Sequence, residues 1–308
     1  MDQRTLKYIV TIAEQQNLTK AAEALYVGQP TLSKALAGVE AQLGLKLFRK
    51  VGRCYRPTSA GEHFLARARE ILRLSEELDE EMSDLLNRSV GELNVAFAYM
   101  RCSYMLPVVL PAFQERYPNV RVNVYEGSSD ENDRRLLDGS IELAFYSEPS
   151  KANAQIDYVP LAQEELLICA RRGHPVGRLA VPNPGSAHPR LELSAITDER
   201  VLMMRPEQRT RQIVDGILRE QGLRFDRVLC ISSIQAIMGL VAAGYGMSFV
   251  FDSHLRHCRD LAQIDRYSFG EPRTVHSFVA AKRRGSYLSS YAQAFIETVR
   301  QAVDAPTP

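Results

Sequence analysis

The stretch that decides the fold of the first part of this chain is NLTKAAEALYVGQPTLSKALAGVEAQLG, Asn17–Gly44. Its apolar residues recur at the three- and four-residue intervals of a helix, once before Gly28 and once after it. We predict a helix over 20–26 with Thr19 as its N-cap, and a second helix that begins near Pro30, where a missing N–H costs nothing. Gly28 permits the tight turn between them, so the pattern predicts a helix-turn-helix.

The second of these helices has two contrasting faces. Leu32, Leu36, Val39 and Leu43 share one face and are expected to point to the core. The opposite face is slim and polar, with small alanines and a single long cation. Such a face can enter a major groove, which is about 12 Å wide, and offer donors and acceptors to base edges. The residues at its reading end are Gln29, Pro30, Thr31, Ser33 and Lys34.

A basic segment follows this helix. LKLFRKVGRCYR, 45–56, holds five basic residues and no acid, with Gly52 at the expected tip of a hairpin. Residues 1–60 contain nine Lys or Arg and four acids, a net charge of +5, which leaves −4 for the rest of the chain. A solvated charged face or a protein-interaction module would explain parts of this pattern. The basic hairpin beside three helices favours DNA, with arginines along phosphates or in the minor groove.

Residues 6–62 resemble the N-terminal domain of LysR-type transcriptional regulators. The matching features are Ala21-Ala22, Gln29-Pro30 with Leu32-Ser33, Glu40, Leu43-Gly44, Leu47-Phe48-Arg49, Arg53, Thr58 and Gly61. The resemblance implies a winged helix-turn-helix over 1–58 that contacts operator DNA through the recognition helix and the wing. Gly28 departs from the family, which usually has Ser there, so a phosphate contact can be lost. The DNA-binding residues that we expect are Thr19, Gln29, Pro30, Thr31, Ser33, Lys34, Arg49, Lys50 and Arg53.

A long helical pattern occupies 59–90. Ser59 and Glu62 are spaced as a capping box, and no Gly or Pro follows until Gly91. The pattern could be a surface helix packed on its own domain, but a narrow heptad seam more often needs a partner helix. In LysR-type regulators the matching linker helix pairs two subunits on a two-fold symmetric site. The expected dimerisation residues are Phe64, Ala68, Ile71, Leu78, Met82 and Leu85, with Ser75 weakening the middle of the seam.

From Gly91 onward, short apolar strands alternate with helical patterns. This alternation predicts a mostly parallel sheet with helices on both faces. The segment resembles the effector domain of the same family, which has the fold of periplasmic binding proteins. We therefore expect an α/β effector-binding domain over 91–308. Its first subdomain would comprise about 91–161 and 267–302, and its second about 162–266.

Loops after the strands of such a sheet are where ligands usually bind, often at helix N-termini. Two arginines, several hydroxyls and free backbone N–H groups in these loops suit a small anion such as a carboxylate. The expected effector-binding residues are Met100, Arg101, Cys102, Ser103, Ser128, Ser129, Arg205, Ser232 and Ser233. The alternatives stay open: the serines at 128 and 233 could simply cap helices, and the arginines could pair with nearby acids. Cys102 could be a redox sensor, but the sequence shows no neighbour that would lower the pKa of its thiol.

Several classes of protein are disfavoured. No run of eighteen or more apolar residues predicts a membrane span. The five cysteines are odd in number and far apart, which fits a reduced cytoplasmic protein. We expect no cofactor and no metal, since His254, His257 and Cys258 lack a second ligand pair and fit a solvated loop better. No catalytic constellation is apparent among the six histidines, so we do not expect an enzyme.

A solute receptor for transport should carry a signal peptide and lack a winged domain. The sequence therefore favours a ligand-responsive transcriptional regulator. Its expected partners are double-stranded operator DNA, a small effector that is anionic, and further copies of itself in a homodimer or homotetramer. RNA polymerase is a further candidate partner.

Overall fold

The computed structural model describes residues 1–52, 54–85, 90–256, 258, 261–271 and 273–304, except for the side chains at 80, 83–85 and 304. The chain divides into two compact units, Met1–Arg88 and Ser89–Pro308. Within the described ranges, no helix combines the length and the apolar character that crossing a membrane requires.

The N-terminal unit is a helix-turn-helix followed by a hairpin and a long helix. Its elements are α1 (Gln3–Gln15), α2 (Leu18–Ala24), α3 (Gln29–Leu43), β1 (Phe48–Val51), β2 (Cys54–Pro57) and α4 (Ser59–Leu85). Leu32, Leu36 and Val39 are buried in its core, as the predicted inner face of the helix requires. Leu43 of the same predicted face is instead 41% exposed, because it is the last residue of α3.

Two predicted helix caps are wrong by one or two positions. Asn17, not Thr19, caps α2: its Oδ1 accepts hydrogen bonds from the amides of Thr19 (2.9 Å) and Lys20 (3.2 Å). Thr58, not Ser59, caps α4, since its Oγ1 accepts from the Gly61 amide at 3.0 Å. In both cases a residue one or two positions before the predicted cap also carries a short polar side chain, and spacing alone does not rank two such candidates.

Glu40 ties the hairpin to α3. Its carboxylate is buried and accepts from the amides of Leu47 (2.9 Å) and Phe48 (3.4 Å), while Lys46 Nζ lies 2.6 Å from the other oxygen. Burial alone would raise the pKa of Glu40, but Lys46 and the two amides together hold it below its ordinary value. The ionised carboxylate thus fixes where the hairpin begins.

A glycine allows the hairpin to approach α4. A Cβ added to Gly61 would lie 2.0 Å from the carbonyl oxygen of Leu47, which leaves no room for any side chain. Thr58 fastens the same place, because its Oγ1 donates to the Lys46 carbonyl at 2.6 Å and its amide donates to Leu47 O at 2.9 Å. The matched Thr58 and Gly61 of the sequence motif therefore have a packing role.

The C-terminal unit is built on a nine-stranded sheet with helices on both sides. Its strands are β3 (Gly91–Ala98), β4 (Val120–Gly127), β5 (Leu143–Ser147), β6 (Ile156–Arg171), β7 (Arg200–Met203), β8 (Arg227–Cys230), β9 (Met247–Phe251), β10 (Ile264–Tyr267) and β11 (Val275–Arg283). Its helices are α5 (Tyr99–Arg116), α6 (Ser129–Asp138), α7 (Arg209–Glu220), α8 (Ile234–Ala242), α9 (Asp252–Leu255) and α10 (Ser290–Asp304).

The strand order is β4-β3-β5-β11-β6-β9-β7-β8, with β10 also paired to β6. The pairs toward the two ends of this order are parallel, but β11 runs antiparallel to β5 and β6, and β6 runs antiparallel to β9 and β10. The prediction of a mostly parallel sheet is therefore wrong at its centre. The reason is that β6 and β11 pass between the two halves of the unit, where no crossover helix makes parallel pairing possible.

Strand β6 belongs to both halves. Its residues 156–165 pair with β11, and from Leu166 onward it pairs with β9 and β10. In the first half, one buried cluster lies between the strands and the helices α5 and α10, and another lies on the side of α6. Two further clusters fill the half formed by β7 and β9 with α7 and α8. The carboxyl ends of β3, β4 and β7 lead into the helices α5, α6 and α7 that form the site described below.

Gly61→Ala is expected to destabilise the N-terminal unit by roughly 1–3 kcal/mol, because the new methyl group would overlap Leu47 O and displace the hairpin. Gly38→Ala is the matched control: it lies within α3 with nothing within 4 Å of the added Cβ, so it should stabilise by about 0.5–1 kcal/mol. Hydrogen-exchange protection of peptides from residues 1–85 measures both changes. Equal protection in the two variants would contradict the close contact.

Glu40→Gln is expected to weaken protection of the hairpin at neutral pH and to flatten its dependence on pH. The folded pKa of Glu40 is lowered, so its contribution is present above the ordinary value of about 4.5 and is lost as pH falls through the folded pKa. Protection factors from pH 3 to 7 measure this. Glu23→Gln, an exposed residue of α2, should behave as the wild type. If hairpin protection in Glu40→Gln depended on pH as it does in the wild type, the carboxylate would not hold the hairpin.

Candidate functional site

The N-terminal end of α3 presents a row of exposed polar side chains. Gly28 precedes the helix without any side-chain cap, and Leu32 is fully buried, so the first turn is anchored from its inner side alone. The outward residues are Gln29, Pro30, Thr31, Ser33 and Lys34, all exposed. Among the residues that the structure describes, their side chains have no hydrogen-bonding or ionic partner. Their donors and acceptors are thus available to a groove.

The hairpin adds cations without acids to balance them. Arg49 and Lys50 are exposed on β1 and form no ion pair with any described residue. Arg49 lies directly opposite Arg56 in the hairpin register. Like charges facing each other across two strands destabilise a hairpin, so this pairing is better explained by a polyanionic partner than by stability. Arg53 lies outside the described residues, and Thr19 is exposed in the first turn of α2.

Helix α4 carries an exposed apolar stripe. Ile71, Leu74, Leu78 and Met82 are each about half exposed. Ala68 and Phe64, two other members of the predicted seam, pack against the core of their own unit instead. Leu74 is exposed beside the stripe although the heptad pattern omitted it, and the side chain of Leu85 is not among those described. An apolar stripe of this length on one helix is typical of a surface that another protein covers.

In the C-terminal unit, a small cavity of about 40 Å³ lies where α5, α6 and α7 begin, and both halves of the unit line it. Of the predicted effector-binding residues, Met100, Arg101, Ser128 and Ser129 line this cavity. Cys102, Ser103, Arg205, Ser232 and Ser233 do not. Sequence reasoning missed six further polar or aromatic lining residues: Tyr99, Ser147, Gln208, Arg209, Thr210 and His254.

Arg101 is buried and already paired. Its guanidinium makes two bonds to Glu164, of 2.9 and 2.6 Å, and a third to Ser147 Oγ at 3.1 Å. It also lies 3.7 Å above the ring of Phe278. Burial would lower the pKa of Arg101, but Glu164 raises it above the ordinary value, and Arg101 in turn lowers the pKa that burial would raise at Glu164. The pair is fully ionised, and its cation is neutralised from within the protein.

The serines at the helix starts differ in what they do. Ser128 and Glu131 form a reciprocal capping box at α6, and Ser233 Oγ accepts from the Ala236 amide at the start of α8. Ser129 is different: its Oγ is buried and has no hydrogen-bond partner within the described chain, although it lines the cavity. A buried hydroxyl left without a partner costs about 1–3 kcal/mol, so this atom is positioned for a ligand or a water.

Cys102 and His254 also depart from simple solvent-exposed roles. Burial, together with Glu126, raises the pKa of the Cys102 thiol to about 12, so the reactive thiolate is not formed near neutral pH. His254 is buried in α9 between the rings of Tyr104 and Phe251, so the expectation of a solvated loop is wrong there. His257, named in the same expectation, lies outside the described residues.

Arg205 and the two serines at 232 and 233 lie on the exposed rim of the second half. The side chain of Gln208 joins them, because its Oε1 accepts from the Arg205 amide (3.0 Å) and its Nε2 donates to Ser232 O (3.4 Å). From the second half, the cation that lines the cavity is Arg209, the first residue of α7. The sequence signal for it was a second arginine four residues after Arg205, at the next helix start.

Two family models cover most of the chain. The model for the bacterial regulatory helix-turn-helix protein of the lysR family matches residues 3–62, and the model for the LysR substrate binding domain matches residues 87–304. The curated regulator BenM of Acinetobacter baylyi is 25% identical over 98% of this chain and 96% of its own length. The boundary between the two matches agrees with the division of the chain into two units.

Solved structures of full-length regulators have the same fold. A full-length OxyR variant from Pseudomonas aeruginosa superposes with a TM-score of 0.74 at 23% identity, and covers 98% of this chain and 94% of its own. Full-length CbnR complexed with its target DNA superposes with a TM-score of 0.60 at 25% identity, over 98% and 100% of the two chains. This chain belongs to the LysR family of DNA-binding transcriptional regulators, with a helix-turn-helix domain followed by an effector-binding domain.

Proposed function

We propose that this regulator reads a two-fold symmetric operator with the N-terminal end of α3 in the major groove. The observation that carries the proposal is a row of exposed side chains that have no partner among the described residues: Gln29, Thr31, Ser33 and Lys34. The helix that carries them is held from its inner side, where Leu32 and Leu36 are buried. Gly28 has no side chain and the ring of Pro30 is compact, so the backbone can come close to the base edges. Thr31 and Gln29 would then select bases, and Lys34 would contact a phosphate or guanine.

The hairpin supplies the sequence-independent part of the binding. Arg49 and Lys50 on β1, together with Thr19 on α2, would contact phosphates on either side of the groove. Arg53, which lies outside the described residues, is proposed to do the same. The contact between Glu40 and the start of β1 fixes the hairpin relative to α3, so both parts meet the DNA in one register. CbnR, to which this chain is similar, was solved in complex with its target DNA, which supports DNA as the partner.

The exposed stripe of α4 is proposed to pair two subunits. Ile71, Leu74, Leu78 and Met82 offer an apolar strip on a helix of 27 residues. Pairing of two such helices would place two winged domains on the two halves of a symmetric operator.

The effector is proposed to be a small anion that binds in the cavity between the two halves of the C-terminal unit. Arg101 does not support this, since Glu164 already neutralises it. The support comes from Arg209 and from the buried hydroxyl of Ser129, which approach the cavity from opposite halves. A ligand that contacts both halves can shift their equilibrium, because only differential affinity changes a population.

Lys34→Ala and Arg53→Ala are each expected to weaken operator binding, and a Thr31 substitution is expected to change base preference. The loss of one phosphate contact should reduce the slope of log affinity against log salt by about one. Mobility-shift titrations at several salt concentrations measure this. Lys151→Ala, an exposed lysine of the other unit, is the control and should bind as the wild type. Unchanged affinity of the double variant Lys34→Ala/Arg53→Ala would reject the assignment.

Leu78→Lys is expected to disrupt subunit pairing, since it places a charge in the centre of the apolar stripe. Ala66→Lys adds the same charge at an exposed position of α4 outside the stripe and should leave assembly unchanged. Sedimentation velocity compares the two. If Leu78→Lys keeps both its oligomeric state and its operator affinity, α4 does not pair the subunits. Intact oligomers with a defect in operator binding would place a second interface in the effector domain.

A further inference from the structure

Helices α6 and α7 are linked across the mouth of the cavity. Arg209 of α7 extends its NH2 atom to within 3.3 Å of Asp130 Oδ1 and 3.8 Å of Asp133 Oδ2, both on α6. Gln212, one turn further along α7, donates from Nε2 to the other oxygen of Asp130 at 3.0 Å. Since α6 belongs to one half of the unit and α7 to the other, these contacts hold the two halves together.

The contacts of Arg209 are incomplete. An arginine and a carboxylate normally meet through two parallel hydrogen bonds of about 2.7–2.9 Å, as Arg101 and Glu164 do here. Arg209 is 13% exposed. Its NH1 donates to Gln212 Oε1 at 3.0 Å, but its Nε and NH2 atoms make no hydrogen bond with any described residue. A largely buried guanidinium, with two nitrogen atoms that make no hydrogen bond to the described residues, thus lies at the edge of the cavity.

The opposite wall of the cavity also contains a buried polar atom without a hydrogen-bond partner in the described part of the chain. Ser129 is 3% exposed, and its Oγ has no partner in the described part of the chain. It is the first residue of α6, where backbone N–H groups have no partner within the helix. A group with oxygens on two sides would satisfy Ser129 and Arg209 together, and a planar carboxylate has that shape.

The two aspartates can release Arg209 without being left alone. Asp130 keeps the hydrogen bond from Gln212, and Asp133 keeps one from the hydroxyl of Tyr146. Burial raises the pKa of Asp133, while the hydrogen bond from Tyr146 and the charge of Arg209 act in the opposite direction. When an external carboxylate takes Arg209, each aspartate therefore still accepts one hydrogen bond.

We propose that Asp130 and Asp133 are internal competitors for the effector: they hold Arg209 in the absence of ligand, and a small carboxylate binds by taking over the guanidinium of Arg209 with Ser129 Oγ as its second donor. This inference rests on the anionic effector proposed above and adds how the site is regulated. Arg209 would then be the residue that selects a carboxylate. Without ligand, α6 and α7 would be linked by the aspartates and Arg209. With ligand bound, the same two helices would be linked through its carboxylate.

The test measures binding of acetate to the full chain by ligand-observed NMR at constant ionic strength, with acetamide as the neutral analogue of the same shape. Asp130→Asn keeps an acceptor for Gln212 but removes the competing charge, so it should tighten acetate binding by about five- to tenfold. Arg209→Gln should abolish the preference for acetate over acetamide. Asp138→Asn removes one charge from the other end of α6 and serves as the matched control, with the affinity of the wild type.

A double variant separates competition from simple repulsion. If Asp130 acts by holding Arg209, then Asp130→Asn should give no gain in the Arg209→Gln background. A gain of the same size in both backgrounds would show only that a negative charge near the cavity repels anions, and it would overturn the proposal. Thermal unfolding of each variant confirms that it is folded.

The outcomes also separate this inference from the proposed function. If the wild type prefers acetate but Asp130→Asn binds it equally or more weakly, the internal competition is refuted and the anion site stands. If neither the wild type nor Asp130→Asn distinguishes acetate from acetamide, both the anionic effector and the competition are refuted. If only Asp130→Asn prefers acetate over acetamide, the competition is supported, because Asp130 then blocks the site in the wild type.

Discussion

The buried pair of Arg101 and Glu164 is the interaction on which the effector domain most depends. It joins the first turn of α5 to β6, and its guanidinium also reaches Ser147 on β5 and the ring of Phe278 on β11. Removal of one partner would leave the other charge buried, at a cost of about 3–5 kcal/mol. Because the charges of Arg101 and Glu164 cancel, this wall of the cavity is electrically neutral. The net charge at the site is therefore set by the residues of α6 and α7.

The N-terminal unit could be predicted almost completely from the sequence, because its signals are local. Helical periodicity placed Leu32, Leu36 and Val39 in the core, and the basic hairpin followed from composition. The errors concern neighbours of equal propensity, such as Asn17 against Thr19. The tertiary role of Glu40 was not visible, since nothing in the periodicity of α3 says that a carboxylate will bind the amides of a hairpin seven residues later.

The effector cavity was only partly predictable, for a different reason. The rule that ligands bind after strands selected the loops around Met100 and Ser129, and both residues line the cavity. This rule could not predict that Arg101 would form an ion pair with Glu164, which is distant in sequence. Nor could it predict that Arg209 rather than Arg205 would reach the cavity. The antiparallel centre of the sheet was missed because pairing between distant strands leaves no local trace.

The continuity of β6 limits the kind of motion that an effector can cause. One strand of 16 residues serves both halves, and its partner changes from β11 to β9 between Glu165 and Leu166. Sliding of one half past the other would break the hydrogen-bond ladders on both sides of that point, whereas a bend about it would keep them. A ligand in the cavity is therefore expected to change the angle between the two halves of the sheet. Such a motion is a hinge rather than a shear.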